Sequence, residues 1–456
     1  MKKKEYYFLR KVYVYFINII LFSVMIWQFQ RMWISTFNDL LDRVFSQKGN
    51  LLMVLLYGIV VLFLFRLWGA FKIGYLKSAN LILSQCLGII SANLFLGVQM
   101  TLMVAKLNET KNIIYHTLLL SMYDIVLCIP VTIICCKIYQ QLFKPLRLLI
   151  VNGNHASEIC KKVMSREDKY EIGNIIQEKD ISNEEILAHM KDHDAVLLNG
   201  LTESGRKQMI QICYANSIRT YFKPEIMDVF VKGTSAINLF DTPLYMNENI
   251  GLSYGVLAVK RLFDIIFSVL FLIGVSPLLL VVAFLIKLED GGPIFYKQKR
   301  CTMNGNIFNI YKFRSMIVGA EKDGQAIPAK DKDKRITKIG KFIRRFHIDE
   351  IPQFYNVLRG DMSVVGPRPE RVEHVAKYSR EIPEFGYRLK VRGGITGYAQ
   401  VYGKYNTSPE DKLIMDLQYI VNYSFLLDLQ IILETVKVLF KKDNTEGFQH
   451  EENKKV

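Results

Sequence analysis

Seven cysteines in 456 residues, Cys86, Cys128, Cys135, Cys136, Cys160, Cys213 and Cys301, form no CxxC pair and no zinc-site spacing. Several lie in apolar runs, so they read as small buried hydrophobes. His189 and His193 are four residues apart but have no carboxylate or third ligand nearby, which points to a solvated helix end rather than a metal site. The N-terminus, MKKKEYYFLRK, runs into an apolar stretch without a small-residue cleavage site, and it reads as a retained anchor. The turn NGNHASE, at 152–158, lacks the GxGxxG that lets a pyrophosphate approach a helix N-terminus, which argues against a dinucleotide site there. Acidic residues are also in deficit: 43 against 59 basic ones leave a formal charge of +16. The excess points to lipid headgroups or nucleotide phosphates. Nucleic acid is disfavoured, because the basic residues are spread between apolar spans and no nucleic-acid motif accompanies them.

What the chain has in abundance is apolar sequence. Half of it is hydrophobic, and its mean hydropathy is positive. The length suggests about three domains. Four segments reach the length needed to cross a bilayer: 12–30, 51–71 with Arg66 inside it, 78–105, and 112–136 with Asp124 and Pro130. Asp124 is a functional candidate at that depth, with interhelical pairing or protonation as the plainer account. Lys2, Lys3, Lys4, Arg10 and Lys11 place the N-terminus in the cytoplasm, and four crossings return the chain there at Lys137, Lys144 and Arg147. The expected first domain is a four-span bundle over 1–142.

From 143 to 250 the composition becomes that of a soluble domain. Strand-like runs (LRLLIV, AVLL, RTYF) alternate with helical ones (ASEICKKVMSRED, NEEILAHMKD). That βαβ pattern predicts a small parallel, Rossmann-like sheet.

A fifth apolar run follows Lys260, Arg261 and Asp264, and residues 265–286 carry no charge. Basic residues flank both ends, with Lys287 closing it, and Ser276-Pro277 sits at its centre. Proline removes a helical hydrogen bond, and the serine hydroxyl can satisfy the carbonyl it frees. These features favour a re-entrant helix over 262–287 that bends and returns to the cytoplasmic side. The competing reading, a kinked fifth span, would put everything after Lys287 outside.

Behind the hairpin stand GPIFYKQKR, GNIFNIYKFRSM, DKRITKIGKFIRRFHIDEIPQ, RGDMSVVGPRP and VRGGITGYAQVYG. In this order, these blocks resemble the bacterial sugar transferase family, the polyprenyl-phosphate hexose-1-phosphate transferases that start glycan assembly. The resemblance covers about 260–441, and the bundle and βαβ domain resemble its large members. It implies three parts: a membrane α-helical bundle, a small α/β Rossmann-like domain without a nucleotide fingerprint, and a mainly α monotopic catalytic domain over 251–442. A homodimer, a site at the cytoplasmic face of a bacterial membrane, and UDP-sugar and undecaprenyl phosphate as partners are further expectations from it. Glucose, galactose and N-acetylated hexoses all remain open as the sugar.

The chemistry can be read beside the resemblance. Moving a sugar phosphate between phosphates requires cations to neutralise charge and a nucleophile or base. Lys312, Arg314, Arg344 and Arg368 supply the first. The adjacent carboxylates Asp349 and Glu350 supply the second, since an aspartate can attack phosphorus to give an acyl phosphate. By the resemblance, Asp349 is the nucleophile, Glu350 its partner, and Mg²⁺ the metal, with the carboxylate pair as candidate ligands. Asp361 reads as an orienting group, and Arg345 and Arg359 as solvated or membrane-facing. Asp349-Glu350 could instead only cap a helix starting at Ile351-Pro352. The chain departs from the family pattern at Gly393, where a proline is usual and whose absence should loosen the loop, and at Asp333-Lys334-Arg335, where "DPR" is common.

Downstream, Leu417, Tyr419 and Ile420 read as core. The last helix, with Lys437, Lys441 and Lys442, reads as lying on the membrane surface, and 443–456 as a disordered tail. Two other functions make different demands on the sequence. A membrane-bound nucleotide-sugar-modifying enzyme would need a glycine-rich turn and a Tyr-xxx-Lys pair, and a non-enzymatic scaffold would have no use for Asp349-Glu350 beside so many cations.

Overall fold

The computed structural model describes residues 3–153, 157–178, 188–190, 192–247, 252–320, 333–404 and 407–439. Lys2, Lys441, Lys442, the polar tail from Asp443 and the middle of the NGNHASE turn lie outside the described residues. The chain divides into two compact units, Met1–Lys223 and Pro224–Val456.

In the first unit, helices α1 (Lys3–Met32), α2 (Gln47–Trp68), α3 (Ser78–Val104) and α4 (Thr110–Leu142) take up the four apolar segments. All are long and apolar enough to cross a membrane. The buried residues of α1 and its continuation, Ile17, Leu21, Met25, Phe29, Trp33 and Phe37, fall on one i, i+4 row, the ridge that packs into a neighbouring helix. Phe29 stacks on Tyr57 of α2 with ring centroids 4.1 Å apart. α2 stops at Gly69, whose φ of 66° only glycine adopts without strain, so Arg66 falls in its last turn. Pro130 is accommodated inside α4. Asp124 is buried in α4 and accepts from Asn93 Nδ2 of α3 at 3.1 Å, while Tyr57 donates to Asn93 Oδ1 at 2.7 Å. This is the interhelical pairing, and it joins α2, α3 and α4 through one polar chain.

The same unit holds a parallel four-stranded sheet. Its strands are β1 (Leu146–Asn152), β2 (Tyr170–Gln177), β3 (Ala195–Asn199) and β4 (Arg219–Phe222), in the order β2-β1-β3-β4. The central strands are hydrophobic on both faces because helices cover a parallel sheet on both sides. Helices α5 (Ser157–Met164) and α6 (Glu203–Ala215) follow β1 and β3, and Thr202 Oγ1 caps α6 by accepting from Gly205 N at 3.2 Å. His193 departs from expectation: it is buried rather than solvated, with Nδ1 2.6 Å from the His189 carbonyl.

The second unit opens with α7 (Ile226–Lys232) and a β5–β6 hairpin (Ser235–Leu239, Thr242–Met246). Then comes α8 (Tyr254–Asp290), a helix that runs through Pro277. Ser276 Oγ donates to the Ile273 carbonyl at 2.8 Å, the group that proline four residues on leaves without an N–H. β7 (Phe295–Cys301) and β8 (Ile307–Phe313) pair antiparallel. After them come α9 (Lys338–Arg345), α10 (Gln353–Arg359), β9 (Met362–Val365), α11 (Val372–Glu381), β10 (Gly393–Thr396), α12 (Tyr398–Tyr402), α13 (Pro409–Val421) and α14 (Phe425–Leu439). β9 and β10 form a short parallel pair.

The three charges at the start of α8 each fasten a different element. Lys260 Nζ reaches Asp428 Oδ2 of α14 at 2.6 Å, and Arg261 donates to the Val357 and Leu358 carbonyls at 2.6 and 2.8 Å, capping α10. Asp264 accepts from Val364 N at 3.0 Å. Leu417, Tyr419 and Ile420 are buried, as their spacing suggests. The last helix is a correction: Lys437, placed on the membrane surface by the sequence reading, is buried and pairs with Glu434.

Candidate active site

The site is assembled where β8, a short 3₁₀ turn and the loop after β9 converge. β8 delivers Lys312. The turn Ile348–Glu350 follows His347, whose φ of 54° reverses the chain after α9 and brings two consecutive carboxylates inward. The loop GPRPE, 366–370, delivers Arg368. Lys312 Nζ lies 2.6 Å and Arg368 Nη2 2.7 Å from the same oxygen, Glu350 Oε1.

The two carboxylates are shifted in opposite directions. Burial pushes Glu350 upward, but the Arg368 and Lys312 charges outweigh it and hold its carboxyl well below the usual range. It is therefore a fixed anion that gathers two cations rather than a proton carrier. Asp349 is 9% exposed, and burial followed by the Glu350 charge raises its pKa against the opposing pull of Lys312 and Arg344. Among the described residues its carboxylate accepts no hydrogen bond, so its oxygens are available to a ligand.

Two sequence-nominated residues stand apart from the pair. Arg314 follows Lys312 by two positions, but it leaves the strand end and pairs with Asp290 at the end of α8. Asp361 reaches neither carboxylate. Its Oδ2 accepts from Asn356 Nδ2 at 3.3 Å, and its backbone carbonyl accepts from Thr302 Oγ1 at 2.7 Å. Asn356 is fully buried and accepts from Tyr311 N at 3.0 Å while donating to the Asn309 carbonyl at 2.8 Å. It fixes the strand that carries Lys312 to the helix that follows Glu350. Arg345 and Arg359 are exposed, as expected. Gly393 does not loosen its loop: it is buried in β10, its N–H lies 3.3 Å from Thr302 Oγ1, and a Cβ there would come within 2.5 Å of Pro369. A proline at this place would forfeit that hydrogen bond and crowd the arginine loop.

A family model described as bacterial sugar transferase matches residues 256–442. The chain is 37% identical over 191 residues to an uncharacterised sugar transferase of Bacillus subtilis, a match covering 92% of that protein and 42% of this chain. It is 40% identical over 191 residues to a UDP-glucose:undecaprenyl-phosphate glucose-1-phosphate transferase of Caulobacter vibrioides, covering 71% of that protein and 41% of this chain. The chain belongs to the bacterial sugar transferase family. A third relative is a UDP-N-acetylgalactosamine-undecaprenyl-phosphate N-acetylgalactosaminephosphotransferase of Aeromonas hydrophila, 45% identical over 184 residues, covering 40% of this chain and 43% of that protein. The chain spans about half the length of several relatives it matches, between 43% and 53%.

In this bacterial sugar transferase the donor set fits Mg²⁺ through one residue of the nominated pair. Magnesium is commonly held by one or two carboxylates and completed by substrate phosphates and water. Asp349 offers oxygens without a cation partner, whereas Glu350 Oε1 is shared by Lys312 and Arg368. No cluster of three or more His, Cys, Asp or Glu side chains suited to a metal occurs among the described residues. Sequence reasoning missed Asn356, which fixes the strand carrying Lys312, and Arg300, Arg388 and Asp416, which support the cationic loop. Arg388 and Asp416 are 4% and 1% exposed and form an ion pair at 2.7 Å. Burial still pushes the Asp416 carboxyl up to about 6.

Proposed function

We propose that this protein transfers a hexose-1-phosphate from a UDP-sugar to undecaprenyl phosphate, releasing UMP, at the cytoplasmic face of a bacterial membrane, as the first step of a surface-polysaccharide assembly. The reading rests on one observation: an available, buried Asp349 beside a Glu350 that draws Lys312 and Arg368 together. The activities named for the Caulobacter and Aeromonas relatives support it.

In the first step an Asp349 oxygen attacks the sugar-bearing phosphorus. The bond from that phosphorus to the bridging oxygen breaks, and UMP leaves with the oxygen and its electron pair. In the second step a phosphate oxygen of the lipid attacks the same phosphorus, the bond from that phosphorus to the Asp349 oxygen breaks, and the carboxylate leaves with the electron pair. Lys312 and Arg368 turn from Glu350 to the donor phosphates, and Glu350 keeps them in reach when the donor is gone. Mg²⁺ held through Asp349 would neutralise pyrophosphate charge.

The re-entrant course of α8 belongs to this proposal. Phe267, Phe271 and Leu272, before the proline, pack with the cluster around Phe354 and Val357. Leu279, Val282 and Ile286, after it, pack with Ile343 and Ile348. Ile351 touches both clusters, while Ile273 and Leu280, on either side of Pro277, are 66% and 72% exposed. A crossing helix would carry one half away from its packing partners, so an apolar bend in lipid with both ends on one side suits these contacts.

A panel of UDP-sugars, scored for UMP release from membranes with and without undecaprenyl phosphate and with Mg²⁺ present or chelated, tests the function. One sugar should give lipid-dependent UMP; failure of every sugar nucleotide sinks the proposal.

The pH profile should carry the signature of Asp349. The nucleophile must be ionised, and burial raises its pKa, so activity is lost as pH falls through a value higher than that of an ordinary aspartate. Lys312 opposes that rise, so Lys312→Met should move the acid limb of kcat/KM to higher pH. A limb that stays put or moves to lower pH contradicts the assignment.

A further inference from the structure

Arg368 reaches Glu350 from a loop with little secondary structure of its own, so something must hold it. The backbone carbonyls of that loop account for this one by one. Pro367 O accepts from Gly394 N at 2.9 Å, and Glu370 O from Cys301 N at 3.0 Å. The two between them are taken by arginine side chains, one buried and one half-buried: Arg368 O accepts from Arg388 Nη2 at 2.9 Å, and Pro369 O from Arg300 Nη1 at 3.1 Å. Gly366 N closes the other end on Thr396 O at 2.9 Å.

Of the two arginines, Arg388 is the better anchored. Its Nη2 also meets Asp416 Oδ2 at 2.7 Å, and its Nη1 lies 3.7 Å from Glu370 Oε1. The hydrogen bond to the Arg368 carbonyl and the ion-pair contact with Asp416 come from one rigid, planar guanidinium, an arrangement that an ammonium on a flexible stem reproduces poorly. The residue that donates to the Arg368 backbone is thus itself fixed by a carboxylate from α13. The carboxylate is costly to bury, and nothing in the transfer chemistry calls for it.

We propose that Arg388, gripped by Asp416, is the positioning residue that aims Arg368 at the carboxylate pair. The proposal rests on the transfer reading for what Arg368 does. Arg388 itself meets no reacting atom. Its effect passes through a single peptide unit, and a displacement of about 1 Å in a phosphate-binding group is enough to cost about a hundredfold in rate.

The informative variant is Arg388→Lys, which keeps a positive charge beside Asp416 but loses the fork to the Arg368 carbonyl. In the full-length protein it should lower kcat/KM for UMP release by roughly 10- to 100-fold. In an Arg368→Gln background the same change should cost no more than about twofold, because the residue it acts through is already gone. Equal fold-losses in both backgrounds would mean a general structural role and overturn the proposal. A second measurement does not depend on turnover: amide exchange at Gly394, whose N–H bonds Pro367 O, should quicken in Arg388→Lys. Unchanged exchange also overturns the proposal. A wild-type protein that releases no UMP sinks the transfer reading instead, leaving the clamp to be judged by exchange alone.

Discussion

Asp349→Asn is expected to abolish sugar-phosphate transfer, with a loss of at least about 10³-fold, the scale of removing a covalent nucleophile. An amide oxygen is a poor nucleophile toward phosphorus and a weak ligand for Mg²⁺, so both halves of the reaction fail together. The fold should survive. Asp349 accepts no hydrogen bond among the described residues, and burial already disfavours its charge, so a neutral side chain of the same shape removes a cost rather than a support. Thermal stability should therefore be unchanged or slightly raised while activity disappears. Two assays make the test specific to a covalent step. Wild-type protein should exchange labelled UMP into the UDP-sugar without any lipid acceptor, and in a single turnover with phosphate-labelled donor it should retain label that hydroxylamine releases. The asparagine variant should do neither. Full activity in Asp349→Asn, or exchange that requires the lipid, would refute an Asp-linked intermediate.

Parts of this site were legible in the sequence because they are local. Asp349 and Glu350 are adjacent, and Arg368 sits in a proline-bounded turn. The membrane helices were legible from length alone, and β1, β3 and β4 from short β-branched and aromatic runs. What failed depended on distance along the chain or on a single change of backbone direction. Lys312 and Arg314 look equivalent in KFRSM, yet β8 ends at Phe313, and Arg314 turns away to Asp290. Arg388 and Asp416 lie 20 and 48 residues beyond Arg368, and no periodicity signals that they meet behind it. Gly393 reads as a looser version of a proline turn until Thr302 and Pro369 are seen against it. Lys437 shows the limit of reading exposure from charge: a lysine near a helix end can be buried when a glutamate three residues earlier pairs with it.

The largest stability effect should come from the pair that ties α8 to the body of its unit. Lys260 and Asp428 have side chains 9% and 1% exposed and meet at 2.6 Å. Tyr419 completes the network, with its hydroxyl 2.7 Å from Asp428 Oδ1 and 3.2 Å from both Lys260 Nζ and the Val365 carbonyl. Removing Asp428 takes away the carboxylate that meets Lys260 at 2.6 Å and leaves it only the weaker pull of buried Asp264, so Asp428→Ala should destabilise the unit by about 3 kcal/mol. Replacing both charges with apolar residues of similar volume, Lys260→Met with Asp428→Leu, should recover most of that loss, because it also removes the desolvation cost. Thermal unfolding of the detergent-solubilised protein would check the order: wild type and double variant close together, the single variant well below. A single variant as stable as wild type would mean that water reaches the pair and that its burial is only apparent. Activity separates two roles for the network. Val365 immediately precedes the loop that carries Arg368, so if the charges also set the register of that loop, the double variant should fold normally yet transfer more slowly. If they only pin the membrane helix, its turnover should match the wild type.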